Sequence, residues 1–349
     1  MNLAAITVIA VLALSGAAFF LKSDNISISP NSETTPLLQT MPFSTPFPFQ
    51  DLTIPYLRGR EYKSTLGEMT KYSDHISYSA YLTNYSSDGL KINAMLTIPK
   101  GEAPEGGYPA IVFVHGYIAP SIYQTTTRYN DYVDYLAKNG FVVFKIDLRG
   151  HGESEGEAGG AYYSSDYVID TLNAYAALQN ADFVNPQKIG LWGHSMAGNV
   201  TFRSFVVKTN IPALVIWAGA GYTYSDLGEY RLMDTSYRAP QQSTERARRR
   251  QLLRDQYGDF NPESVFWKQV APTNYLNGVS GAISLQHAVN DGVVSIEYSR
   301  NLNKILDASG IAHELDEYPS GGHNLSGGSF TPAMQKTVEF FKEHLASGN

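Results

Sequence analysis

The sequence has 349 residues, 43% of them hydrophobic and 17% charged, the proportions of a globular chain long enough for one large α/β domain or two small ones. Its 26 Lys and Arg against 33 Asp and Glu leave a formal net charge of -7, which argues against a nucleic-acid partner because phosphate contacts demand a basic face. It holds no cysteine, so disulfides, a cysteine nucleophile and thiolate zinc sites are excluded.

Leu3 to Leu21 is apolar except for Thr7, Ser15 and Gly16, and it is long enough to cross a bilayer as a helix. A secretory signal would carry a basic start and an Ala-x-Ala-like cleavage site. Here no Lys or Arg precedes the run, and Ser15-Gly16-Ala17-Ala18 is followed by further apolar residues. Residues 1–22 are therefore read as a membrane anchor, with a cleaved signal sequence as the alternative. Either reading makes the membrane a partner and puts the bulk of the chain outside the cytoplasm. Ser23 to Pro55 is rich in Ser, Thr, Pro and Asn without apolar periodicity and reads as a tether, its end from Thr40 onward lying along the domain surface. Residues 56–349 are assigned to one catalytic domain.

From His75 the pattern becomes regular. Ile76 to Asn84 and Lys91 to Pro99 alternate apolar and polar residues around Ser86-Ser87-Asp88-Gly89, which predicts two antiparallel strands and their turn. Ala110 to Val114 and Val142 to Ile146 are short continuous apolar runs, as strands buried on both faces require. Between them Tyr129 to Lys138 has helical spacing and stops at Asn139-Gly140. Asp166 to Gln179 reads as a covering helix, Ile189 to Trp192 as a strand and Gly198 to Lys208 as a helix. Ala213 to Trp217, Ile283 to His287 and His313 to Tyr318 supply further strands, and Ile296 to Ser309 and Pro332 to Leu345 supply helices. The alternation predicts an α/β fold, a mostly parallel central sheet covered by helices on both faces.

Such a sheet places its site beyond the carboxyl ends of its strands. The run Ile189 to Trp192 ends in Gly193-His194-Ser195-Met196-Ala197, a Gly-x-Ser-x-small turn between strand and helix that presents the serine hydroxyl above the sheet. Small residues are needed on both sides because the turn is tight, and Ala197 stands where glycine is usual. His115-Gly116-Tyr117 follows the first parallel strand, so the backbone N–H groups of Tyr117 and Met196 are the candidate oxyanion donors. Asp147, Arg149 and His151 follow the next strand in a glycine-punctuated loop, and a structural role is the expectation for all three. Asp291 follows the strand ending near Ala288, and His323 follows the last strand. In the order Ser195, Asp291, His323 these residues suit a triad in which the imidazole takes the serine proton and the carboxylate orients the imidazole. Asp226 is the alternative acid.

Three stretches together resemble the signatures of the prolyl oligopeptidase-like α/β-hydrolases: Trp192-Gly-His-Ser-Met-Ala-Gly198, His287-Ala-Val-Asn-Asp-Gly-Val-Val294 and Tyr318-Pro-Ser-Gly-Gly-His-Asn324. Ala271-Pro-Thr-Asn-Tyr275 is similar to the segment ahead of the family's acid-bearing strand. Ala288 and Ala197 depart from the family's glycines without touching a reacting atom. The resemblance spans Ile76 to Leu345 and implies an α/β-hydrolase fold and serine hydrolysis. Peptidases of that family carry a β-propeller that filters peptides, and only the anchor and tether precede this domain. The expectation is therefore cleavage of carboxylic esters of small to medium acyl groups. The alternatives are a peptidase acting on short peptides and a catalytically silent binding module.

The insertion of about residues 220–266 lies between two sheet strands and reads as a helical cap over the site. Its Thr244 to Tyr257 segment is helical in pattern, and Arg246, Arg248, Arg249, Arg250 and Arg254 read as a solvated face, with acidic substrates or anionic lipid as the sharper alternative. His115, His194, Tyr123, Tyr222 and Tyr224 are candidates for the substrate-pocket wall. No cofactor or metal is expected, since no His-x-x-x-His pair or dense carboxylate cluster occurs. The oligomeric state is not legible.

Overall fold

The computed structural model describes residues 46–230 and 244–346. The anchor or signal reading of residues 1–22, the tether reading up to residue 45 and part of the cap lie outside the described residues. Among the described residues no helix is long and apolar enough to cross a membrane.

The described residues from Phe47 onward form one compact unit, and it starts earlier than the sequence pattern predicts. A 3-10 turn, Gln50–Leu52, leads into α1 (Ile54–Gly59), which Thr53 caps by accepting a hydrogen bond from the Tyr56 N–H. Leu52 and Ile54 are fully buried, and Arg203 donates to the Leu52 carbonyl at 3.0 Å. Phe47 to Pro55 is therefore packed structure, not tether. Its apolar residues serve an irregular segment, so they show no helical or strand period.

The antiparallel part of the sheet is β1 (Thr70–Asp74), β2 (Tyr78–Ser87) and β3 (Leu90–Pro99). The β2–β3 hairpin pairs Ser87 with Leu90 across a turn whose Asp88 and Gly89 both take positive φ, the conformation that Asp-Gly favours. The chain then runs through β4 (Tyr108–Val114), α2 (Asn130–Lys138), β5 (Val142–Ile146), α3 (Asp166–Gln179), β6 (Val184–His194), α4 (Met196–Val207) and β7 (Ala213–Trp217). The insertion contributes α5 (Asp226–Glu229), α6 (Thr244–Tyr257) and α7 (Val265–Val270), and the chain closes with β8 (Ala282–Ala288), α8 (Glu297–Ser309), β9 (His313–Tyr318) and α9 (Phe330–Ala346).

The nine strands lie in the order β1-β2-β3-β5-β4-β6-β7-β8-β9, and every pairing from β5 to β9 is parallel. Parallel strands have both faces covered, and β4 shows how. Ala110, Val112 and Val114 join the core layer that contains Leu172 of α3, Val200 of α4 and Leu302 of α8. The alternate residues Ile111 and Phe113 join the layer that contains Leu136 of α2 and Phe341 of α9. A third cluster, with Leu52, Leu253, Phe266 and Trp267, ties the insertion to the N-terminal segment.

The loop after β5 is anchored by a buried ion pair. Arg149 donates to Asp170 on α3 at 2.7 Å from Nη2 and at 3.0 Å from its backbone N–H, and Ser87 donates to the same carboxylate at 2.7 Å. Breaking such a pair strands a buried charge, at a cost of about 3–5 kcal/mol. Asp170→Ala is expected to lower stability by about that amount in a denaturant melt, and an unchanged midpoint would show that this pair does not anchor the loop.

Candidate active site

The site is set by the turn between β6 and α4. Ser195 sits at φ 58° and ψ −121°, a backbone conformation that L-residues rarely adopt and that costs about 1–3 kcal/mol. It is over-determined by its surroundings. The Ser195 N–H donates to the Trp217 carbonyl of β7 at 2.9 Å, and its carbonyl accepts from the Gly198 N–H at 2.8 Å. A Cβ on Gly193 would stand 2.6 Å from Thr201 Oγ1, and one on Gly198 would stand 2.7 Å from the Gly219 Cα. Those two positions demand glycine, whereas the Ala197 methyl is fully buried in the α4 layer.

The turn, the β8 end and the β9 end bring Ser195, Asp291 and His323 together. The Ser195 hydroxyl donates to His323 Nε2 at 2.9 Å, and His323 Nδ1 donates to Asp291 Oδ2 at 2.8 Å. The carboxylate acceptor fixes the imidazole proton on Nδ1, which leaves the Nε2 lone pair facing the hydroxyl. Asp291 Oδ1 accepts from the Val293 and Val294 N–H groups at 2.8 and 3.0 Å. His287, fully buried on β8, adds a donor that sequence reasoning missed. Its Nε2 lies 3.0 Å from the Val294 carbonyl, so that nitrogen bears the proton, and it reaches Asp291 Oδ2 at 3.1 Å while Nδ1 accepts from Ser299 at 2.8 Å. Burial pushes the Asp291 carboxyl up. The hydrogen bonds from His287 and His323 and the two backbone N–H groups outweigh burial and hold it well below the usual carboxylate range.

A second chain of hydrogen bonds joins three strand-end loops. The Gly116 N–H donates to the Tyr129 hydroxyl at 3.0 Å, that hydroxyl donates to His194 Nδ1 at 2.7 Å, and His194 Nε2 donates to the His323 carbonyl at 2.8 Å. The carbonyl fixes the His194 proton on Nε2, and burial lowers its pKa to about 3, so the ring stays neutral. Tyr129 thereby holds the residue before Tyr117, while His194 holds the backbone of His323. Met196 is the first residue of α4, so its N–H has no intrahelical acceptor, as an oxyanion donor requires.

A family model described as "Serine aminopeptidase, S33" matches residues 108–233, the segment from β4 through the Ser195 turn into the insertion. The uncharacterized peptidase YuxL of Bacillus subtilis is 26% identical over 284 residues, covering 77% of this chain and 39% of that protein. Among solved structures, the Pyrococcus horikoshii acylaminoacyl peptidase superposes with a TM-score of 0.60 at 20% identity, over 77% of this chain and 42% of that one. Acetyl xylan esterase 1 from Thermoanaerobacterium sp. superposes with a TM-score of 0.55 at 19% identity, over 84% of this chain and 95% of that one. The chain has the α/β-hydrolase fold. It spans well under half the length of the curated relatives it matches.

A cleft of about 400 Å³ opens beside Ser195, walled by Tyr117, Tyr129, Tyr132, Arg128, His194 and Asn324. Four pocket candidates do not reach it. His115 is fully buried against the Gly116 and Asp147 carbonyls, at 2.7 and 3.1 Å. Tyr123 donates to Asp147 at 2.7 Å and lines a separate cleft with Thr125 and Glu153. Tyr222 is fully buried edge-on to Phe202, and Tyr224 donates to the Tyr162 carbonyl. Aromatic residues near a site and aromatic residues in the core look alike in sequence, so the pattern alone marks Tyr129 and Tyr132 only as helix and the buried tyrosines as candidate wall.

Asp226 accepts from the Tyr222 and Thr223 N–H groups at 2.8 and 3.1 Å, the work of a local turn cap. Asp147, Arg149 and His151 make internal contacts, His151 reaching the Ile118 carbonyl at 3.2 Å behind the Tyr117 loop. The α6 arginines stay largely solvated, as a charged face would: Arg248 and Arg254 are exposed, and Arg249, though paired with Asp51, keeps 43% of its side chain exposed, while Arg246 is mostly covered in its pair with Asp166. Arg250 lies over the Tyr163 ring. Among the described residues, none from 220 to 266 lines the Ser195 cleft.

Tyr129→Phe deletes the hydroxyl that bridges Gly116 and His194 while keeping the ring against Phe113 and Trp192. Two hydrogen bonds worth about 1 kcal/mol each are lost from the loops that carry Tyr117 and His323. Labelling of Ser195 by a fluorophosphonate is expected to slow roughly tenfold. A rate equal to that of the parent would show that the hydroxyl does not hold these loops.

Proposed function

We propose that this hydrolase cleaves carboxylic esters of small to medium acyl groups, with Ser195 as nucleophile, His323 as general base and acid, and Asp291 as the orienting carboxylate. The observation that carries the reading is the continuous Ser195–His323–Asp291 hydrogen-bond array opening onto a cleft whose fixed charge, among the described residues, is Arg128. An aminopeptidase has to hold a substrate ammonium, for which a carboxylate is the natural partner. None of the described residues lining this cleft is Asp or Glu, and Arg128 repels a cation. The cleft volume lies at the small end of ligand pockets, roughly 300–1,000 Å³.

In the proposed reaction the Ser195 oxygen bonds to the ester carbonyl carbon as its proton passes to His323 Nε2. The resulting oxyanion is met by the N–H groups of Met196 and Tyr117. Collapse breaks the bond to the alcohol oxygen, which takes the proton from His323 and leaves an acyl-serine. Water then adds to the acyl carbon, giving its proton to His323, and the acid departs as Ser195 is re-protonated. Asp291 stays ionised throughout and stabilises the imidazolium.

The test is turnover of p-nitrophenyl esters of rising acyl length beside aminoacyl and prolyl p-nitroanilides. Ester cleavage should vanish in Ser195→Ala and fall by roughly 10⁴ in Asp291→Asn, whose amide favours the wrong His323 tautomer. Anilide cleavage at comparable efficiency would move the reading to the peptidase suggested by the family description. Near-parental activity of the Asn variant would remove Asp291 from its role.

A further inference from the structure

The cleft beside Ser195 carries one guanidinium with no acid of its own. Arg128 is exposed in the loop before α2 and lines the cleft with Ser195 and His323. Among the described residues it makes no ion pair and no hydrogen bond. Several other arginines of this chain are ion-paired, although Arg248 on α6 is exposed and makes no ion pair with a described residue either. Arg149 meets Asp170 at 2.7 Å, Arg246 meets Asp166 at 2.9 Å, Arg249 meets Asp51 at 2.5 Å and Arg300 meets Glu317 at 2.6 Å. The charge of Arg128 is also felt inside the site. Burial pushes the Tyr129 hydroxyl up, the Gly116 N–H it accepts works against that, and the Arg128 charge adds a smaller pull in the same lowering direction; that hydroxyl is the one 2.7 Å from His194.

A guanidinium is a rigid fork of donors matched to a carboxylate. Left unpaired in a small cleft that also contains an aligned nucleophile, it is placed to hold an anionic group of the molecule being cleaved. We infer that the preferred substrates are esters bearing a second, free carboxylate, which Arg128 binds while Ser195 attacks the ester carbonyl. This rests on the ester-hydrolase reading above, and it adds the charge of the substrate. The bond-making steps are unchanged, because Arg128 binds and positions and takes no part in proton transfer.

Binding separates the two ideas. The full-length Ser195→Ala protein would be titrated by calorimetry with two matched pairs: mono-(4-nitrophenyl) adipate and its methyl ester, then 4-carboxyphenyl butyrate and its methyl ester. In at least one pair the acid should bind roughly three- to tenfold more tightly, the range of a charge-assisted contact at a solvent-accessible site. That preference should disappear when Arg128→Gln is added and shrink in 1 M salt. Thermal melting of the Gln variant should match its parent, since Arg128 is exposed. Equal binding within both pairs, or a preference that survives Arg128→Gln, overturns the inference. Because these proteins do not turn over, a lack of Ser195-dependent ester cleavage would sink the ester-hydrolase reading alone, and the dissociation constants would still decide the role of Arg128.

Discussion

The geometry of this molecule depends on one strained residue. Ser195 holds a positive φ because the β6–β7 ladder continues onto its own N–H, at the Trp217 carbonyl, and because α4 starts at the very next residue. Strain of this kind persists only where packing over-determines it. The packing here is close enough that Gly193 and Gly198 have no room for a methyl. The serine hydroxyl therefore points out of the sheet as a consequence of the core beneath it, and every other part of the site is arranged around that fixed point.

His323 and Asp291 come from loops that no local interaction would align. Each is held by contacts made elsewhere. Asp291 is pinned by two backbone N–H groups and by His287, so it offers one oxygen to His323 in a fixed direction. His323 is held by that oxygen and, through its carbonyl, by His194. Neutral His194 is itself held by Tyr129, whose hydroxyl also accepts from Gly116. Ser195, His323, Asp291 and the Tyr117 loop are thus joined by hydrogen bonds with assignable donors, an arrangement that would need little reorganisation as charge develops.

The electrostatics of the cleft follow from what the rest of the chain does with its charges. Three of the α6 arginines pair with Asp51, Asp166 and Asp259, which fastens the insertion to the N-terminal segment and to α3. Arg149 is absorbed by Asp170. Arg128 lines the cleft beside Ser195 without a carboxylate among the described residues lining that cleft.

Much of this was legible in the sequence. Continuous apolar runs marked the parallel strands, because a strand buried on both faces has no polar side to show. The Gly-x-Ser-x-small turn and the strand-end Asp291 and His323 stood out because sheets of this class expose their carboxyl ends. What the sequence could not determine were facts of distance. Phe47 to Pro55 belongs to the core although its composition is that of a linker, since irregular backbone carries no period. His115, Tyr123, Tyr222 and Tyr224 lie away from the cleft, while Tyr129, Tyr132 and His287 border or brace the site, because an aromatic ring suits a core and a binding wall equally well. The identity of the residues and their order along the chain set which chemistry was available. Only the folded sheet, by bringing loops more than a hundred residues apart within hydrogen-bonding distance, decided which of them meet.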